Sequence, residues 1–257
     1  MTRVRNVLLG LWAPVVIIAI WWATSRHSKS LFFPPLDQIW QRFHELWLFD
    51  NTTSQMVPSV EHLLAGLAIA TVAGIAAGVV LWSLPSLRKL LAPLFNFFRA
   101  LPAPALVPGF IALLGIGARM EVAVIATGCV WPVLLSTMDG LSGADRLLTE
   151  TAQAYRLPRW QTIWSVQLRA ASPQIAAGLR SALQSAVILM VVSEMLGATS
   201  GIGYFILSSQ QSYATPDMWS GMIALGIVGT LLNVIFVGVE RRALKWFYGA
   251  RAAERTG

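Results

Sequence analysis

Six apolar runs, at residues 7–24, 60–82, 102–114, 121–138, 173–198 and 217–239, constrain this chain more than any motif in it. A backbone crossing hydrocarbon has to satisfy every N–H and C=O internally, and a helix does so within one segment of roughly 20 residues. The runs predict an all-α, polytopic membrane protein of about six transmembrane helices, forming one domain over residues 1–257. Only 12% of the residues are charged, against about 25% in soluble domains. Eleven tryptophans fit the aromatic belts of a bilayer interface.

Arg3 and Arg5 precede the first run, as in a cleaved leader, but Trp21 and Trp22 stand where cleavage needs small residues, so an uncleaved anchor is expected. Residues 37–47 predict an interfacial helix, with Trp40, Phe43, Leu46 and Trp47 on one face and Gln41, Arg42 and Glu45 on the other. Gly66, Gly74 and Gly78 suit close helix packing, expected within the subunit. Pro102, Pro104 and Pro108 imply an irregular entry to the third span, tolerable only where protein or water surrounds it. Pro173 is expected in the first turn of the fifth span, and a glycine-rich turn at 197–203 follows that span.

With six spans, fourteen of the nineteen lysines and arginines share one side, among them Arg3, Arg5, Arg146, Arg251 and Arg255. Four, Arg26, Lys29, Arg42 and Arg119, fall on the other, and Arg180 lies inside a span. The positive-inside rule then places both termini in the cytoplasm. It also accounts for the net charge of +7 without a nucleic-acid partner. One cysteine and three scattered histidines give neither a disulfide framework nor a metal cluster.

The long polar interval, 141–172, lies between the fourth and fifth spans. Ala144, Leu147, Leu148, Thr151, Ala152 and Tyr155 recur at helical spacing, with Asp145, Arg146, Glu150, Gln153 and Arg156 between them. Leu157-Pro158 is expected to end that helix. A second short helix should present Trp160, Ile163, Trp164 and Leu168, completing a helix-turn-helix that lies beside the membrane.

Glu150-Thr151-Ala152, Arg156 and Val166-x-Leu168-Arg169 resemble the Glu-Ala-Ala…Gly…Ile-x-Leu-Pro loop of bacterial ABC importer permeases. Arg99-Ala-Leu-Pro102-Ala-Pro104-Ala-Leu-Val-Pro108, followed by Leu114-Gly115-Ile-Gly117, is similar to the taurine/nitrate/sulfonate branch. Thr151 stands where alanine is usual, Arg156 for glycine and Arg169 for proline. The resemblance implies a type I importer permease fold with a cytoplasmic coupling helix. It implies a second permease subunit (a homodimer, or a heteropair), a cytoplasmic ATPase dimer and an extracytoplasmic binding protein, in the cell membrane. The coupling residues would be Arg146, Glu150, Ala152, Tyr155, Arg156, Leu157, Pro158 and Arg159. Arg146 and Glu150 can pair at i, i+4. The turn is expected at Leu157-Pro158, with Arg156 reaching an acidic group of the ATPase; otherwise the loop is degenerate and pairs with a different permease.

No phosphate loop is present, so ATP and magnesium belong to the partner ATPase; no cofactor and no enzymatic activity are expected of this chain. Pathway and gate candidates are the intramembrane charges Arg180 and Glu194, the polar strip Ser181, Gln184 and Ser185, and Gly201 and Gly203. Arg180 can equally snorkel, and Glu194 either shapes the outer gate or caps a neighbouring helix. Thr127 and Asn233 are expected in interhelical hydrogen bonds. His62 either senses pH or is only interfacial. The substrate implied is a small anion of the sulfonate, taurine or nitrate type. An aromatic acid, a thiamine-precursor pyrimidine or a stand-alone secondary transporter are the alternatives.

Overall fold

A computed structural model describes residues 2–26, 28, 30–48, 51–247 and 249, with side chains from Trp12 onward except at positions 13, 14 and 146. Its helices are α1 (Thr2–Ser25), α2 (Leu36–Trp47), α3 (Val57–Ser83), α4 (Pro85–Ala100), α5 (Val107–Leu114) and α6 (Ala118–Ser142). There follow α7 (Arg146–Ala154), α8 (Arg159–Thr162), α9 (Leu168–Gly197), α10 (Ile202–Gln211) and α11 (Thr215–Ala243). A π-helical turn, Thr52–Met56, leads into α3, and another, Ile163–Gln167, joins α8 to α9. A 3₁₀ turn, Ala103–Leu106, leads into α5. Among the described residues there is no strand.

Small residues decide the centre of the fold. Gly66, Ala70, Gly74 and Gly78 recur every fourth position of α3 and are all buried, so they line one face. A Cβ on Gly74 would lie 2.8 Å from Val133 Cβ and 3.0 Å from the Val130 carbonyl. Gly66 meets Ile125 and Gly78 meets Thr137 in the same way, so the stripe serves packing of α3 on α6 within the chain. On its other side α6 meets α9, where Gly178 admits Ser136 and the Pro132 carbonyl. Leu63, Ile125, Cys129, Val133, Ala186 and Met190 fill the resulting three-helix core.

Four helical stretches among the described residues are long and apolar enough to cross a membrane: Thr52–Ser83, Ala118–Ser142, Arg159–Gly197 and Thr215–Ala243. The expected third span, 102–114, is not one. Its helix, α5, has eight residues, about 12 Å at 1.5 Å per residue. It joins α4 through a bend of 90°; Pro102 and Pro104 hold the backbone off a continuous helix there. Counting that pair as one broken span gives five, against the six expected. Of the first run, 7–24, only Val15–Ser25 is a described apolar helix. Of the remainder only Trp12 has a described side chain, and the side chains of Arg3, Arg5 and Arg146 lie outside those described. Lys29, Arg251 and Arg255 lie outside the described residues altogether.

The fifth span also starts earlier than Pro173. Helical structure is continuous from Arg159, and Pro173 sits inside α9. Proline has no N–H for the carbonyl four residues back. The Ser172 hydroxyl fills that vacancy, donating to the Arg169 carbonyl at 2.8 Å.

At the far end of the bundle, α2 is pinned against α10 and α11. Arg42 makes a bidentate pair with Asp217, Nε to Oδ1 at 2.5 Å and Nη2 to Oδ2 at 3.0 Å, and also reaches Glu45. The Asp217 hydrogen bond, more than any other contact, raises the Arg42 pKa above its ordinary value. Trp47 is buried, donates Nε1–H to Ser220 at 3.1 Å and meets Phe205 edge-on. The buried face of α2 is set by Ile39 and Trp47. Trp40, expected on one face with Phe43, Leu46 and Trp47, is exposed and stacks on Phe43.

Candidate coupling loop and membrane site

The loop between α6 and α9 carries most of the candidates. Asp145 caps α7, its carboxylate accepting from Leu147 N–H at 2.9 Å. Ala152 alone of the expected apolar stripe is buried, at 3% exposure. α7 itself rests against the π turn that leads into the long helix. Leu147, Leu148 and Tyr155 point outward instead, and Trp160 and Trp164 extend the exposed apolar surface along the start of the long helix. The second short helix is thus the first turn of that membrane helix, joined to it by the π turn Ile163–Gln167. Glu150 and Arg159 are exposed; the expected Arg146–Glu150 pairing rests on a side chain outside the described residues.

Arg156, and not Leu157-Pro158, carries the turn. Its φ is +53°, the left-handed region that glycine enters without penalty. Its N–H bonds the Gln153 carbonyl at 2.9 Å, and Leu157 N–H bonds the Ala152 carbonyl at 3.1 Å. That pair of bonds is a Schellman motif. Pro158 is extended and only starts the next helix. Because Arg156 adopts the conformation despite its Cβ, Arg156→Gly is expected to stabilise the chain by about 1 kcal/mol. The checks are a higher melting temperature and slower amide exchange at Leu157. A fall in stability would show that the arginine side chain holds the turn.

In α9, Arg180 does not stand alone: its guanidinium pairs with Glu240 of α11. About 21 Å separates Arg180 from Glu194 along the axis. Ser181 and Gln184 are exposed and Ser185 half-buried, on a stripe continued by Ala177 and Ile188. These polar groups therefore face away from this chain's own core.

Glu194 is 1% exposed and belongs to a cap. Three consecutive N–H groups begin α10, and each finds a side chain from elsewhere. Gly201 donates to Gln55 Oε1 at 2.7 Å, Ile202 to Ser59 Oγ at 2.9 Å and Gly203 to Glu194 Oε2 at 2.7 Å. Gly201 has φ +117°, and a Cβ on it would lie 2.4 Å from Glu194 Cδ. Nearby, His62 Nδ1 lies 2.7 Å from the buried Glu121 carboxylate. Gln55 and Ser59 were not candidates from sequence, although their i, i+4 spacing before an apolar run was visible. Among the described residues no cluster of histidine, cysteine and carboxylates could hold a metal ion.

Residues 70–243 match the family described as the binding-protein-dependent transport system inner membrane component. The chain is 27% identical to the taurine transport system permease protein TauC of Escherichia coli, over 94% of this chain and 90% of that one. It is 30% identical to the putative aliphatic sulfonates transport permease protein SsuC of Bacillus subtilis, over 92% and 87%. The nitrate import permease protein NrtB of Synechocystis is 26% identical, over 93% of each. Among solved structures, an inward-facing MetNI methionine ABC transporter chain superposes with a TM-score of 0.64 at 18% identity, covering 78% of this chain and 98% of that one. That likeness is one of fold.

Proposed function

This chain belongs to the inner-membrane components of binding-protein-dependent transport systems, as an ABC importer permease of the taurine, sulfonate and nitrate branch, and from that premise we propose how it works. Residues 141–172 form the coupling element, seated in a groove of a separate ATPase subunit that binds ATP and magnesium. The observation that carries this is the surface of α7: a short capped helix whose leucines, tyrosine and neighbouring tryptophans are exposed while Ala152 is buried. A helix laid in a groove is a standard recognition mode. ATP-driven closure of the ATPases would swing α7, and the continuous stretch Arg159–Gly197 would carry that motion into the membrane.

Two such permeases would face each other across the pathway, a homodimer being the simplest arrangement. The outward Ser181–Gln184 stripe supports this, since polar groups within a membrane helix face a cavity or a partner. Glu194, Gly201 and Gly203 would shape the outer gate, where a binding protein delivers substrate. The excess of arginine on the α7 side supports cytoplasmic termini. A small anion of the sulfonate, taurine or nitrate type is the substrate that the relatives' names suggest.

Co-purification of the tagged chain with its ATPase tests the coupling assignment. Wild type is expected to bring the ATPase down, and Glu150→Lys to lose at least tenfold of it. Equal recovery with the variant would remove α7 from the interface.

A further inference from the structure

We propose that the bend between α4 and α5, where it lies against α6, is a binding site for an anion carrying a short apolar tail. The proposal rests on the permease reading above and adds a place where the cargo is held. A cavity of about 300 Å³ opens there, lined among others by Phe98, Arg99, Leu101, Leu106, Thr127 and Trp131. Its volume suits a small ligand, pockets running from roughly 300 to 1,000 Å³.

Arg99 supplies the charge. It makes no hydrogen bond or ion pair with any described residue and is exposed in the last turn of α4, so its guanidinium is open to an anion in the cavity that it shares with Thr127 and Trp131 of α6. Thr127 supplies the second polar group. Thr71, Thr137 and Thr230 each return their hydroxyl to the carbonyl four residues back. Thr127, expected to bond across helices, bonds neither way and its side chain lines the cavity. Trp131 stacks on Phe98 at 6.3 Å and meets Phe95 edge-on at 5.8 Å, which gives the cavity flat apolar walls.

A second cavity, of about 170 Å³, continues the first, sharing Arg99, Trp131 and Leu135 and reaching Arg88. Arg88, Phe95 and Arg99 lie seven and four positions apart, and eleven residues is three turns to within about 20°. The basic residues thus share one stripe of α4 along α6, two stations on a single groove. One guanidinium and one hydroxyl among aromatic and leucine walls discriminate against a bare inorganic oxyanion, which offers those walls nothing to bury. They suit an aliphatic sulfonate or carboxylate, and the same chemistry is offered by an anionic lipid headgroup.

The test is a titration of the purified full-length chain in detergent with ethanesulfonate, with nitrate and, separately, with phosphatidylglycerol, reading melting temperature and tryptophan fluorescence. Ethanesulfonate is expected to raise the melting temperature saturably, and nitrate to need at least tenfold higher concentration. Charge-assisted hydrogen bonds contribute about 1.5–3 kcal/mol, so Arg99→Gln should weaken the ethanesulfonate response by tenfold or more. Arg99→Lys should recover part of it. Thr127→Val, which conserves shape, should weaken it less than Arg99→Gln, and it stands in if Arg99→Gln does not fold. Arg242→Gln, exposed in the last turn of α11, should respond as wild type. A response to phosphatidylglycerol alone, an equal response to nitrate, or titrations unchanged by the Arg99 and Thr127 substitutions would each overturn the proposal. Since no ATPase is in the assay, failure here is separate from failure of the coupling assignment.

Discussion

Gly74→Leu is expected to leave little or no folded permease in a membrane extract. The added Cβ alone would lie 2.8 Å from Val133 Cβ and 3.0 Å from the Val130 carbonyl. A side chain can change rotamer, but a backbone carbonyl in the middle of α6 cannot step aside, so α3 and α6 have to separate along their length. Overpacking typically costs about 1–3 kcal/mol, and here it also opens the approach that Gly66 and Gly78 make above and below. We therefore expect a loss of at least about 3 kcal/mol, seen as loss of a monodisperse peak in detergent and rapid proteolysis. Gly226→Leu is the control: nothing lies within 4 Å of a Cβ at Gly226, and that variant should behave as wild type. A stable Gly74→Leu chain would mean that the stripe does not set the distance between these helices.

That stripe was legible because small residues at i, i+4 on an apolar helix have one common use. The helical class and the four long spans were legible for a related reason, each being a property of one segment's own composition. What depended on contacts between segments was harder. The proline-rich stretch from Pro102 announced irregularity, but not that eight residues would form a separate helix turned through 90°. Leu157-Pro158 looked like the terminator of α7 because proline restricts its predecessor. The turn falls one residue earlier, at Arg156, since the two Schellman bonds that satisfy the last carbonyls of α7 require a left-handed residue there whatever its type.

The membrane charges divide in the same way. That Arg180 and Glu194 would be expensive to bury followed from their positions. Their partners, Glu240 sixty residues on and the first turn of α10, did not. Trp40 was expected with Phe43, Leu46 and Trp47 on one face of an interfacial α2; the protein itself buries Ile39 and Trp47 and leaves Trp40 exposed. An amphipathic ring at an interface gains from either side, so its hydrophobicity alone could not choose.

The cap on α10 gives the other large effect. Glu194→Ala is expected to cost about 3 kcal/mol, because it leaves the buried Gly203 N–H unpartnered and a void beside Gly201. Glu194→Gln keeps an acceptor oxygen for that N–H and should stay within about 1 kcal/mol of wild type. Gly201→Ala should cost about as much as Glu194→Ala, for two separable reasons. At φ +117° any Cβ strains the backbone, and here the Cβ also overlaps the Glu194 carboxyl carbon at 2.4 Å. Removing the glutamate side chain relieves the second and leaves the first. The double variant Gly201→Ala/Glu194→Ala should therefore lose at least about 1 kcal/mol less than the sum of the single losses. Thermal or chemical unfolding of the four proteins in one detergent measures that cycle. Strict additivity would mean that the Glu194 carboxylate does not crowd the glycine turn.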